Sequence, residues 1–218
     1  MITSGSNQHI QLLRSLHAPK GRHAEGAFLI EGPHLLGAAF AAGVTPLLIV
    51  YDPLDLEKSV DGQRLRGEIE AARARGAQVF EATAAAIERA SDTRAPQGVV
   101  AAVAVAEVAP AKVRARRRGR VRPIMLLLDA ISDPGNLGAV LRSALAADAD
   151  EVLLGPGCAD PFNPKVLRAG AGAHFRLPVR VLAGWSEARE ALHGAPAVRQ
   201  VLAAEAEGSM PYAACDLT

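Results

Sequence analysis

Cysteine is scarce in this 218-residue chain, with only Cys158 and Cys215 present. The two lie far apart and match neither a zinc-ligand nor a redox spacing, so both are expected as free thiols. Long hydrophobic runs are missing as well. The longest, at 124–128 and 99–106, fall short of the roughly 20 residues a membrane helix needs, so no membrane span is expected and 99–106 reads as a buried strand. Residues 1–9 lack a charged start followed by an apolar run, which argues against a secretory leader and makes the cytoplasm the expected location. No cluster of His, Cys and acidic residues has metal-ligand spacing. Net charge is only +1, a value that neither demands nor excludes a nucleic-acid partner, because the placement of the charge decides.

What is present is apolar residue, at 50% of the chain, enough to bury a large domain or two small ones. Charge is unevenly placed. Residues 112–122 hold seven basic side chains, Lys112, Arg114, Arg116, Arg117, Arg118, Arg120 and Arg122, with no acid among them. Pro110 precedes this stretch and Pro123 follows it. It reads as an interdomain linker over 109–122, between a small α/β domain at 1–108 and a second domain at 123–218. A solvated linker and a phosphate-contacting one are compatible readings.

In the first domain the patterns predict strands at 27–30, 47–51, 79–80 and 99–106. Helices are predicted at 33–42, 65–75 (ended by Gly76) and 84–90. In the second, an apolar run at 124–129 leads into Ser132-Asp133-Pro134-Gly135. Helical spacing follows over 137–147 with Asn136 as its cap, then a strand at 152–154, a helix at 165–170 and a strand at 177–182. This alternation predicts a parallel sheet covered by helices. Ligands of such sheets bind at the carboxyl ends of the strands, which directs attention to the loops after Asp129 and Leu154.

The first of these loops leads through Gly135, Asn136 and Gly138 to Arg142. The glycines permit sharp turning and close approach, Asn136 offers a donor and an acceptor, and Arg142 offers a fixed cation. On residue chemistry alone, a helix cap and a solvated arginine account for the same pattern. The glycine spacing is not that of a dinucleotide fingerprint, and no phosphate-loop lysine follows.

The run Asp133-Pro134-Gly135-Asn136-Leu137-Gly138-Ala139-Val140-Leu141-Arg142-Ser143-Ala144 resembles the first signature of the SpoU (TrmH-like) family of RNA ribose 2'-O-methyltransferases, of the SPOUT class. Asn163-Pro164-Lys165-Val166-Leu167-Arg168-Ala169-Gly170, continuing to Val179, resembles the family's next signature, in the same order. Residues 22–32, which end in Phe28-Leu29-Ile30-Glu31-Gly32, and 91–103, with Pro96-Gln97-Gly98-Val99, resemble the small RNA-binding domain that precedes many such catalytic domains.

The resemblance implies transfer of a methyl group from S-adenosylmethionine to a ribose 2'-hydroxyl, a C-terminal backbone tied in a trefoil knot, and a homodimer. Ribosomal RNA is the expected substrate, with transfer RNA second. Asn136 would shape the catalytic loop and Arg142 would lie beside the target hydroxyl. The expected RNA contacts are Arg14, Lys20, Arg22, His23, Arg116, Arg117, Arg118, Lys165 and Arg168. Gly170 stands where similar sequences often carry Ser. The family's later Asn-Glu-Gly turn and Ser-Leu-Asn segment do not occur before the chain stops at Asp216-Leu217-Thr218. The expectation is therefore a truncated form with an incomplete methyltransferase domain and impaired cofactor binding, whose cofactor contacts stay unassigned.

Other residues carry plainer expectations: His174 and Phe175 as core or interface groups, Trp185 as a packing anchor, Asp129 and Asp160 as capping acids. Two further readings remain: a non-catalytic RNA-binding protein, and an unrelated small-molecule enzyme that would leave both signature stretches unexplained.

Overall fold

The computed structural model describes the chain apart from residues 59–61, 94, 116–123, 194–199, 205–207, 209, 212–213 and 216–218. Its N-terminal half runs α1 (Gln8–Ser15), α2 (Pro19–Glu25), β1 (Ala27–Glu31), α3 (Pro33–Ala41), β2 (Leu48–Tyr51), α4 (Pro53–Lys58), α5 (Gly62–Ala74), β3 (Gln78–Glu81), α6 (Ala84–Ala90) and β4 (Val99–Ala104). The strands form one sheet in the order β1-β4-β2-β3, with β4 antiparallel to both neighbours and β2 parallel to β3.

Side chains alternate faces along each strand, and here both faces are covered. Phe28, Ile30, Ile49, Tyr51, Ala101 and Val103 pack against α3, α4 and α5. Ala27, Leu29, Leu48, Val50, Val100 and Ala102 pack against α1 and α6. Burial on both sides explains why these strands read as unbroken apolar runs and not as alternating ones.

The C-terminal half runs α7 (Pro110–Ala115), β5 (Met125–Leu128), α8 (Pro134–Ala146), β6 (Glu151–Leu154), α9 (Pro164–Gly170), β7 (Val179–Val181) and α10 (Trp185–His193). β5, β6 and β7 form a parallel sheet in that order. Leu128, Val152 and Leu154 meet Leu137 and Leu141 of α8 and Val166 of α9 on one face. The other face holds a smaller cluster of Leu153, Leu182 and Ala188. No helix among the described residues is long and apolar enough to cross a membrane.

Several boundaries differ from the sequence-based expectations. The expected helix at 137–147 starts at Pro134, because the Asp133 side chain accepts the Asn136 N–H at 2.8 Å. Asp133 is thus the cap, and Asn136 sits within the first turn. The strand expected over 99–106 stops at Ala104 and tightens into a 3-10 turn at Val105–Val108. Part of the expected linker is helical, and Val113 of α7 is fully buried in the N-terminal core. Trp185, expected to anchor packing, is 51% exposed. Helices α1, α2, α4 and α10 were not anticipated.

The tightest contact in the C-terminal half is between α8 and α9. A Cβ placed on Gly138 would lie 2.5 Å from the Ala169 Cβ and 2.6 Å from the Val166 carbonyl oxygen. The partner whose close approach Gly138 permits is therefore helix α9. Gly138→Ala should cost about 1–3 kcal/mol through overpacking, a fall of roughly 2–10 °C in Tm. Gly67→Ala, on the exposed face of α5 with nothing within 4 Å, should be neutral or stabilising. Differential scanning calorimetry of the two variants checks this, and equal Tm values would refute the packing argument.

Candidate functional site

The carboxyl ends of the three parallel strands bring their following loops together. Gly155 donates its N–H to the Leu128 carbonyl at 2.9 Å, and Ala159 donates to that of Ile131 at 2.9 Å, so the loops after β5 and β6 are stitched to each other. Cys158 Sγ lies 3.4 Å from the Leu128 carbonyl oxygen. Ala130 has φ of 51° and Gly157 has φ of 81°. A Cβ on Gly157 would sit 3.2 Å from that of Ala130, and one on Gly155 would sit 3.4 Å from the Trp185 ring. The half-exposed Trp185 ring therefore stands beside bare backbone at the strand ends.

Helix α8 rises from this edge. Its capping acid Asp133 is held below the usual carboxylate range, chiefly by the Asn136 N–H and further by Lys165, whose Nζ is 3.8 Å away. Asn136 and Arg142 are both exposed. At about 100° and 1.5 Å per residue they stand about 120° apart around the helix and roughly 9 Å along it. They border the solvent face of α8, while Leu137, Gly138, Leu141 and Ala144 fill the buried face.

The cations expected to bind RNA differ in placement. Arg14, Lys20 and His23 are exposed on α1 and α2, with His23 Nδ1 2.8 Å from the Pro19 carbonyl oxygen. Lys165 is exposed beside Asp133. Arg116, Arg117 and Arg118 lie outside the described residues. Arg22 requires a correction. It is 4% exposed, and its guanidinium donates to the Leu16 and His17 carbonyls at 2.9 and 2.8 Å and to Asp160 Oδ2 through Nε at 3.1 Å. A second donor of the same group also meets Asp160. With its donors so occupied inside the protein, Arg22 is not presented to RNA. Arg168 is part-exposed and lies 3.5 Å from Asp92 and 3.9 Å from Glu31, so it faces the junction with two acids beside it.

These arginines mark a junction that the sequence did not reveal. Asp160 accepts the Phe162 N–H at 2.8 Å, and Phe162 stacks on Phe28 of β1 with ring centres 5.1 Å apart. Leu167 and Phe175 are buried in the core of the N-terminal half. Glu31, at the end of β1, accepts hydrogen bonds from the Ser91 and Thr93 hydroxyls. The sequence signal for this cluster is that Arg22, Phe28, Glu31, Ser91, Asp92 and Thr93, with Leu167, Arg168 and Phe175, all fall within stretches of family resemblance, none of which indicates how they pair. His174 lies against Phe162, and burial pushes its imidazole down to about 4, opposed in part by the Pro161 backbone and Asp160.

Residues 123–217 match the SpoU rRNA Methylase family, and residues 7–101 match the MRM3-like substrate binding domain. Residues 123–217 belong to the SpoU family. Among curated relatives, it is 35% identical over 183 residues to the 23S rRNA (guanosine(2553)-2'-O)-methyltransferase RlmP of Bacillus subtilis, covering 82% of this chain and 63% of that one. It is 34% identical over 158 residues to the human mitochondrial rRNA methyltransferase 3, covering 72% of this chain and 36% of that one. The chain thus spans less than two thirds of either relative. A solved structure of a putative RNA methyltransferase of the TrmH family from Porphyromonas gingivalis superposes with a TM-score of 0.67 at 29% identity, over 87% of this chain and 67% of that one. An AdoMet-bound rRNA methyltransferase from Sinorhizobium meliloti gives 0.65 at 26%, over 86% and 66%.

The buried imidazole makes stability depend on pH. Between its ordinary value near 6.5 and about 4, the unfolded chain binds a proton that the folded one refuses. Stability should therefore fall as pH drops through that window, by on the order of 3 kcal/mol. Urea unfolding at pH 7 and pH 4.5 measures it. A His174→Gln chain should lose this part of the pH dependence, and an unchanged difference would remove His174 as its source.

Proposed function

We propose that the protein carrying this chain methylates the 2'-hydroxyl of a ribose in ribosomal RNA, using S-adenosylmethionine. The observation that carries the reading is an exposed Arg142 on α8 together with the stitched strand-end loops, in a SpoU methylase domain preceded by a substrate-binding domain. Residues 1–108 serve as the RNA-binding domain, 109–122 as a basic connection and 123–218 as methyltransferase sequence. The knotted backbone, homodimer and cytoplasmic location implied by the family resemblance belong to the same reading. Half-buried Met125, Leu126 and Leu127 along β5 and exposed Ile124 suit a further protein surface there.

The residues present fit a flat, partly apolar cofactor. Backbone at Gly155 and Gly157 admits close approach, and Trp185 supplies an aromatic wall. S-adenosylmethionine, when bound, supplies an electrophilic methyl group on a sulfonium. The chain's part is then to align the ribose oxygen and ease the loss of its proton to water.

Arg142 does not take that proton, because a guanidinium stays protonated well above pH 12. Its charge lowers the cost of forming the oxyanion and holds the neighbouring phosphate, so that orientation supplies much of the rate. Asn136, one turn and a half earlier, has an amide able to donate and accept and shapes the entry to the site. Arg14, Lys20, His23, Lys165 and the basic segment including Arg116, Arg117 and Arg118 contact phosphates.

Arg142→Ala should lower methyl transfer to a ribosomal RNA transcript by about 10²-fold or more, read with radiolabelled S-adenosylmethionine. Its RNA affinity should stay within a few-fold of the parent. Arg14→Ala with Lys20→Ala should instead weaken RNA binding and reduce the salt dependence by about one per removed contact. RNA binding without any transfer by the parent protein would favour the non-catalytic RNA-binding reading, and full activity of Arg142→Ala would reject the role given to Arg142.

A further inference from the structure

Arg22 and Arg168 cross the junction between the two halves in opposite directions. Arg22 leaves α2 and ends on Asp160, in the loop after β6. Arg168 leaves α9 and faces Glu31 and Asp92, at the end of β1 and in the loop before β4. The Phe28–Phe162 stack and the buried Leu167 and Phe175 form an apolar plug at the same junction.

Apart from the exposed Asp92, each polar partner is itself fixed. Arg22 is held by two carbonyls of its own half. Asp160 spends its second oxygen on the Phe162 N–H. Glu31, with its side chain 6% exposed, is gripped by two hydroxyls. Helix α9, which bears Arg168, is seated on α8 through Gly138. The contacts therefore run without a break from α2 to α8.

We infer that this reciprocal pair and its plug lock the two halves into one rigid body, and that the lock acts as a ruler. It fixes the separation between the exposed cations of α1 and α2 and the solvent face of α8, and so selects an RNA whose backbone contact and target ribose lie that far apart. Arg22, Asp160, Arg168 and Glu31 are positioning residues in this scheme. The ruler rests on the proposed function, whereas the lock does not.

The test places spin labels at Gln11 on α1 and Ala146 on α8, both exposed, with Cys158 and Cys215 replaced by Ala. Pulsed electron resonance should give one narrow distance distribution for the otherwise native protein and a broad one for Asp160→Asn combined with Arg168→Gln. A broad distribution in the native protein overturns the lock outright and needs no folded variant. A narrow one in the double variant shows that these residues do not make it.

Mapping of methylated riboses then reads the ruler. The native protein should mark one ribose, and the double variant should spread methylation onto neighbouring ones with a raised KM. Lowered yield at the same single ribose would signify mere destabilisation and overturn the ruler. No transfer by the native protein would overturn the proposed function and the ruler with it, while the distance measurement still decides the lock.

Discussion

Arg22 carries a full positive charge into a place that is 4% exposed, and the way the two halves meet depends on how that charge is neutralised. A buried guanidinium is tolerable only when its donors are met, and two carbonyls of the α1–α2 turn meet part of the need. The remainder is supplied from the other half, by Asp160. Removing the carboxylate would leave an uncompensated buried charge, which is far more costly than the net gain from forming the pair. The pair is thus better understood as a constraint on arrangement than as a source of stability. Packing that excludes Asp160 from the mouth of the α1–α2 turn leaves Arg22 unsatisfied, so few relative orientations of the two halves remain.

The same constraint reaches the candidate site through α9. That helix is short, with its first turn capped by Asn163, and a lone helix of this length has little stability of its own. It is held because it is packed on both sides, by β1 of the N-terminal half and by α8. Gly138 allows α8 and α9 to touch backbone to side chain. A displacement of the junction would therefore be passed to the helix that displays Asn136 and Arg142.

How much of this was legible in the sequence differs element by element. The buried strands were readable because sheets covered on both faces need apolar residues at every position, as at 99–104. The start of α8 was misplaced because Asn136 and Asp133 are both good caps, and only the observed N–H of Asn136 on the Asp133 carboxylate decides between them. Helices α1 and α2 were missed because their surfaces are largely polar, with few buried positions such as Ile10 and Leu13. The signature around Asn136 and Arg142 is visible through family resemblance, whereas spacing alone favours a cap and a solvated cation. Arg22 was read as an RNA contact because an isolated arginine gives no sign of its partner, and Asp160 lies 138 residues away.

A side chain that never gives up its proton at neutral pH offers charge and hydrogen bonds, and its value lies in where those are held. On the proposed reading, misplacement of Arg142 by about 1 Å would cost most of its effect, since alignment is what it contributes. Arg142 itself is exposed on the solvent face of α8, so its placement is inherited from the backbone of that helix. That backbone is fixed by the Asp133 cap at one end and by α9 along its buried face. α9 in turn is fixed by the junction at Arg168 and Phe162. In such an architecture the framework has to be stiff over its whole length for an exposed cation to be well placed, which is why charges as expensive to bury as Arg22 and Glu31 make physical sense at a distance from the site.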